Sequence, residues 1–225
     1  RFFKENIKED DVSDLRKRLK LNKKDFIILF VGRLAEEKNV EFLIYAQQEL
    51  VKKSKNIKLI IVGDGPDKEK YEKLSNKLGL SDNIIFTGKA AWDDMPYYYH
   101  ISNVFATASK TETQGLTIIE AMASNVVPVC MNDEAFQSMV TEELNGLFFE
   151  TKEEYEKNII RLYENPKELQ RFDKQARIQA EHYSSKNYAD RVIEVYNRAI
   201  KEKQEENRFG VFSKIYKSIK KRFKW

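Results

Sequence analysis

Two carboxylates, Glu112 and Glu120, flank a Gln-Gly-Leu-Thr turn in the stretch TETQGLTIIEA (residues 111–121). If a helix begins near Gly115 to Thr117, the amides of Gly115, Leu116 and Thr117 are unsatisfied donors at its positive end. Such a terminus suits a phosphate or diphosphate. With phosphate there, Glu120 sits about one turn inside the helix, able to accept from the hydroxyls of a ribose, and Glu112 faces the phosphate's far side. The plainer alternative makes Glu112 a dipole-friendly first-turn acid and Glu120 a solvated helix residue. Against a fully wet face for Glu120 stands the small apolar run Ala121-Met122-Ala123 behind it.

A second pair, Arg33 and Lys38, stands in VGRLAEEKNV. Two cations near a helix start oppose the helix dipole, a small cost that an anionic ligand would reverse through the guanidinium fork and the ammonium. Solvated cations beside Glu36 and Glu37 are the competing reading. VGDGP (residues 62–66) supplies a Gly-rich turn but matches neither GxGxxG nor GxxxxGK[ST], so neither dinucleotide nor P-loop chemistry follows from it.

The elements that must position these residues are legible as alternation. Apolar β-type runs at residues 26–32, 56–65, 83–88, 104–109 and 125–130, with a short sixth at 145–150, alternate with helix-like stretches at about 39–53 and 67–79. Three helices then follow at about 151–164, 166–182 and 185–206. This pattern predicts an α/β fold, a Rossmann-like parallel sheet with helices on both faces. In such a sheet ligands bind outside the carboxyl ends of the strands. Gly32-Arg33, Gly63-Asp64-Gly65, Gly88-Lys89 and Ser109 to Gly115 all fall on that edge.

Composition narrows the chemistry further. A hydrophobic fraction of 41% with 14 Phe and 11 Tyr is enough for a core. The lone cysteine, Cys130 in VVPVC, forms no intramolecular disulfide and reads as a buried structural thiol. His100 and His182 offer no metal-ligand spacing. There is no signal peptide and no apolar run of the ~20 residues a membrane span needs. Starting at Arg1 rather than Met, the sequence is expected to be a piece of a longer protein.

Five short motifs, GRLAEEK, IVGDGP, NIIFTGKA, the E-x7-E of TETQGLTIIEAMA, and VPV, occur in one order. In that order they resemble the C-terminal domains of retaining GT-B glycosyltransferases of family 4. The resemblance covers about residues 1–205. The form TETQGLT, where Gln114 replaces the usual Phe, looks like the bacterial diacylglycerol glucosyltransferases. The resemblance implies a donor site for a nucleotide-diphosphate sugar. Arg33 and Lys38 would hold the diphosphate and offset leaving-group charge. Glu112 would contact the transferred sugar, with Gln114 a candidate partner for one of its hydroxyls. The Gly115, Leu116 and Thr117 amides would hold phosphate, Glu120 the ribose, and the Gly88–Lys89 turn would lie by the base. No cofactor or metal is expected. The partners implied are UDP-glucose or a related nucleotide sugar, a diacylglycerol acceptor and anionic lipids, at the inner face of the cell membrane. An N-terminal acceptor domain, part of such enzymes, is expected outside this chain. Asn125 replaces the family's glycine before VVPV, a position where Asn tolerates left-handed geometry. NDEAFQSMV departs from the family pattern, so no role passes to Glu134 or Gln137.

The chain ends in a basic tail. Residues 208–225 hold seven basic residues and no acidic one; taking them from the 40 Lys and Arg leaves 33 against 36 acids. On a helix, Phe212, Ile215, Tyr216, Ile219 and Phe223 fall within an arc of about 100°. Lys214, Lys217, Lys220, Lys221 and Lys224 lie opposite or beside it, and Trp225 closes the segment. The expected organisation is therefore a donor-binding domain over 1–206 and a basic amphipathic membrane-surface helix over 207–225. Packing of this helix on the missing domain is the alternative, and a nucleic-acid patch is a third, less favoured one because no groove-reading or stacking motif accompanies the basic residues. Two other functions stay open: a soluble relative glycosylating a protein or polysaccharide, and a non-enzymatic membrane adaptor with a vestigial nucleotide fold.

Overall fold

In the computed structural model, residue 2 and residues 7–109, 111 and 115–222 are described, without the side chains of residues 206–214, 216 and 219–222. Contacts divide the chain into a unit of residues 1–181 and one of residues 182–225. The first unit is built on six parallel strands: β1 (Phe26–Val31), β2 (Ile57–Val62), β3 (Ile84–Gly88), β4 (Val104–Thr107), β5 (Val127–Met131) and β6 (Leu147–Phe149). Their order in the sheet is β3-β2-β1-β4-β5-β6. The strands are nearly continuous apolar runs because a parallel sheet is covered on both faces. In β1, FIILFV, the first five residues are all buried.

Helices α1 (Glu9–Arg18), α2 (Val40–Lys53), α3 (Lys68–Lys77), α4 (Met95–His100), α5 (Leu116–Ala123), α6 (Glu134–Gln137), α7 (Lys152–Glu164) and α8 (Pro166–His182) connect and cover the strands. On one face α2 and α7 bring Leu43, Ile44, Leu50, Tyr155 and Ile159 onto Ile28, Phe30, Leu59 and Val129. Each such fully buried side chain contributes roughly 1.5–3 kcal/mol relative to exposure. Thr151 and Glu154 form a reciprocal capping box that starts α7.

The chain moves outward from β1 to β2 and β3, then returns to the other side of β1 with β4, β5 and β6. The direction therefore reverses between β1 and β4, and at such a switch point the connecting loops part and leave a crevice at the carboxyl edge.

Three short helices extend the predicted set. Helix α1 buries only Leu15 in an otherwise mostly charged stretch, so few apolar positions mark it. Helix α4, MPYYYH, and the four-residue α6 are too short to show a period. The predicted fourth strand loses its last residues, since Ala108 and Ser109 are loop rather than strand, while the Gly-rich turn of residues 63–65 follows β2 as expected. Asn125 does adopt the left-handed turn, with φ of 60°.

In the second unit, α9 runs without a break from Ser185 to Arg222, across the boundary between 206 and 207 at which the sequence suggests a separate tail helix. No proline interrupts this stretch, and Gly210 costs only about 1 kcal/mol, too little to stop a helix of this length. Ile215 and Lys217 are exposed. The side chains of Phe212, Lys214, Ile219 and Lys221, and residues Phe223, Lys224 and Trp225, lie outside the described residues. Among the described residues no helix is long and apolar enough to cross a membrane.

Candidate functional site

The carboxyl edge of the sheet holds an open cleft of about 940 Å³, in the size range of small-molecule sites. Its wall includes Gly32, Arg33, Gly63, Lys89, Thr117 and Glu120.

One side of the cleft is main chain. The Gly32 amide donates to the Val62 carbonyl at 3.0 Å, Leu34 N to Asp64 O at 2.9 Å, Asp67 N to Leu34 O at 3.0 Å, and Gly63 N to Gly88 O at 2.9 Å. The loops after β1, β2 and β3 are thus laced together. Gly63 adopts φ of 149°, and a Cβ there would overlap the Gly32 carbonyl oxygen; one at Gly65 would overlap that of Leu34. The glycines of VGDGP are required by this loop crossing, without reference to any ligand. The lacing presents exposed Arg33 and the neighbouring Lys89 to the cleft.

Lys38 is placed differently. It ends a 3₁₀ turn, Glu36–Lys38, closed by left-handed Asn39 before α2 begins, and it does not line the cleft. Its turn is nevertheless tied to the far wall. Buried Ser109, at the end of β4, donates through Oγ to the carbonyls of Thr111 at 3.1 Å and Glu37 at 3.5 Å. That tether sets the Lys38 turn beside the β4–α5 connection, where Glu112 and Gln114 are located; both lie outside the described residues.

The other side is α5. Gly115 caps it in left-handed geometry, φ 56° and ψ 28°, and its carbonyl accepts from Ile118 N at 2.9 Å. The amides of Leu116 and Thr117 open the helix, where geometry gives them no intrahelical acceptor. Gly115 rests directly on Met139, with Phe136 beneath, so a Cβ would overlap the Met139 methyl. NDEAFQSMV, to which sequence reasoning gave no role, thus supplies the floor under the α5 terminus. One turn inside, Glu120 accepts a 2.8 Å hydrogen bond from Tyr99 Oη. Tyr99 is fully buried, and burial, followed by the Glu120 charge, pushes its phenol pKa well up. The phenol therefore stays a donor.

Two apolar side chains stand exposed at the rim, Trp92 at 61% and Leu116 at 59%. Sequence reasoning missed Trp92 and Tyr99. Both belong to the segment that follows β3 and forms α4, and only its aromatic density marks it. Cys130 is fully buried, and burial raises its thiol pKa, as expected for a structural thiol. Among the described residues no group of three or more His, Cys, Asp or Glu is arranged to hold a metal.

A doubly wound parallel sheet with an anion-suited cleft at its switch point defines a nucleotide-binding class of fold. Comparison with known proteins makes this particular. Residues 11–179 match the family described as Glycosyl transferases group 1. The chain is 35% identical over 188 residues to the alpha-monoglucosyldiacylglycerol synthase of Acholeplasma laidlawii, covering 84% of this chain and 47% of that protein. It is 28% identical over 149 residues to the protein of the same name from Streptococcus pneumoniae, covering 66% of this chain and 34% of that one. The chain thus spans a third to a half of the length of these curated relatives. Among solved structures, Anabaena HepE in complex with UDP and glucose superposes with a TM-score of 0.76 at 21% identity, over 85% of this chain and 53% of that one. This likeness establishes the fold, one half of a GT-B architecture. The chain belongs to the group 1 glycosyltransferases.

Proposed function

We propose that this chain is the donor-binding half of an enzyme that transfers glucose from UDP-glucose to diacylglycerol, with retention, at the inner surface of the cell membrane. The supporting observation is the convergence of Arg33, Lys89, Thr117 and Glu120 on one cleft. UDP as ligand draws support from the HepE complex with UDP and glucose, and the lipid acceptor from the names of the two synthases.

In this reading the first amides of α5 and Arg33 hold the diphosphate, with Lys38 close to its distal end. As the bond from sugar to diphosphate breaks, negative charge grows on the leaving oxygen. A fixed guanidinium stabilises that charge more than the ground state. Glu120 accepts from the ribose hydroxyls and Lys89 flanks the base. Glu112 and Gln114 face the transferred sugar. The rest of the enzyme supplies the acceptor site, so this chain binds donor without turning it over.

Calorimetry with UDP and UDP-glucose tests the reading. Removal of a charge-assisted hydrogen bond costs about 1.5–3 kcal/mol, so Arg33→Ala and Glu120→Ala are each expected to weaken binding tenfold or more. Undetectable binding by the native chain, or two variants with native affinity, would refute the donor site.

The basic end of α9 is assigned to the membrane surface, where each Lys or Arg contributes about 1 kcal/mol near an anionic leaflet. Flotation with vesicles containing phosphatidylglycerol should recover the chain, and deletion of residues 209–225 should abolish recovery. Indifference to anionic lipid would favour the soluble relative that acts on a protein or polysaccharide.

A further inference from the structure

The three consecutive tyrosines of α4 are divided between two neighbours. Tyr97 Oη donates to Asp11 Oδ2 at 2.8 Å, and Tyr98 Oη accepts from Arg18 Nη2 at 3.5 Å, so both engage α1. Tyr99 points the other way and meets α5 through Glu120. Its ring is enclosed: Phe2 meets it edge-on with centroids 5.5 Å apart, and Phe105 lies at 6.1 Å. The Phe2 carbonyl in turn accepts from Ser124 Oγ at 3.0 Å, just past the end of α5, and from His100 Nε2 at 3.1 Å, at the end of α4. The Phe2 backbone thus bridges the ends of the two helices that Tyr99 and Glu120 join.

We propose that Tyr99 is a positioning residue for donor recognition: its buried hydroxyl fixes the Glu120 carboxylate in the orientation that receives the ribose hydroxyls. This rests on the assignment of Glu120 to the ribose. A glutamate side chain has three rotatable bonds, and on a half-wet helix face it samples several rotamers. Ordering it at the moment of binding subtracts from affinity, and ordering it beforehand does not. The hydroxyl that does this cannot itself wander, because its ring is packed on all sides. Nor does it consume the acceptor, since each carboxylate oxygen accepts more than one hydrogen bond. Burial keeps the phenol protonated, so the restraint holds throughout the neutral range.

Tyr99→Phe removes the oxygen and keeps the ring. Calorimetry of the native chain, Tyr99→Phe, Glu120→Gln and the double variant with UDP and with 2′-deoxy-UDP separates the possibilities. The native chain should favour UDP by tenfold or more, and Glu120→Gln should lose most of that preference. Tyr99→Phe should reduce the preference by threefold or more while its affinity for 2′-deoxy-UDP stays within twofold of native. The double variant should match Glu120→Gln, because the hydroxyl acts only through the carboxylate. A native preference in Glu120→Gln would overturn the ribose assignment itself. Loss in Glu120→Gln with native preference in Tyr99→Phe would overturn the positioning role alone. Equal weakening of both nucleotides by Tyr99→Phe, or additive losses in the double variant, would reduce Tyr99 to general packing.

Discussion

The two walls of the cleft are held by different forces. On the β1–β2 side the loops lock together through main-chain hydrogen bonds, and the glycines at 63 and 65 exist because the loops pass too closely for a side chain. On the α5 side the helix start rests on a flexible methionine, and the Glu120 carboxylate is held by a hydroxyl from another helix. The first wall cannot change without the fold changing. The second can lose its alignment while the fold survives, so stability and recognition are separable within a single site.

Alanine at the two glycines exposes this difference most strongly. In Gly63→Ala the new methyl meets backbone carbonyl oxygen, which has nowhere to move, in a conformation that L residues rarely adopt. Urea unfolding should show a loss of about 3–4 kcal/mol, at the upper end of single-substitution effects. In Gly115→Ala the methyl meets the end of the Met139 side chain, which can rotate away. What remains is the left-handed penalty of about 1–2 kcal/mol, together with a shift of the α5 start that calorimetry should register as weaker UDP binding. The contrast fails if Gly63→Ala unfolds at native urea concentration, or if Gly115→Ala binds UDP as tightly as the native chain.

The same difference explains what was readable in the sequence. Main-chain constraints leave a signature in the letters: buried parallel strands are unbroken apolar runs, and a glycine follows β1 and β2 and ends β3. Those glycines and the carboxyl-edge rule bring Arg33, Lys89, Thr117 and Glu120 to one region before any coordinates exist. Side-chain constraints leave no such mark. Tyr99 reaches Glu120 from a helix of six residues beginning Met-Pro, where no period can develop. Met139 and Phe136 act through a four-residue helix and the turn after it, in a stretch that departs from the family pattern. Lys38 illustrates a third limit, since the 3₁₀ turn that carries it, closed by left-handed Asn39, is too short to leave a period in the sequence.

A smaller effect at the opposite edge of the sheet tests whether binding losses at α5 are merely stability losses in disguise. Arg161, in the second half of α7, hydrogen-bonds both oxygens of Glu143 at 2.6 and 2.7 Å and both of Glu168, at 2.6 and 3.1 Å. Glu143 precedes β6, so this cluster lies by the amino ends of the strands, away from the cleft. The guanidinium holds both carboxyl groups below the usual carboxylate range. A depressed folded-state pKa means that the stabilisation is complete above the unfolded value of about 4.3 and disappears as pH falls through the folded value. The groups are partly exposed and solvent-screened, so Arg161→Met should cost only about 1 kcal/mol at pH 7. Urea midpoints of native and variant should converge only once the pH falls below the depressed folded-state pKa values, where both acids are protonated in either state. UDP affinity at pH 7 should stay native despite a stability loss similar to that of Gly115→Ala. If Arg161→Met weakens UDP binding as Gly115→Ala does, lost stability alone accounts for both, and the distinction between the two walls collapses.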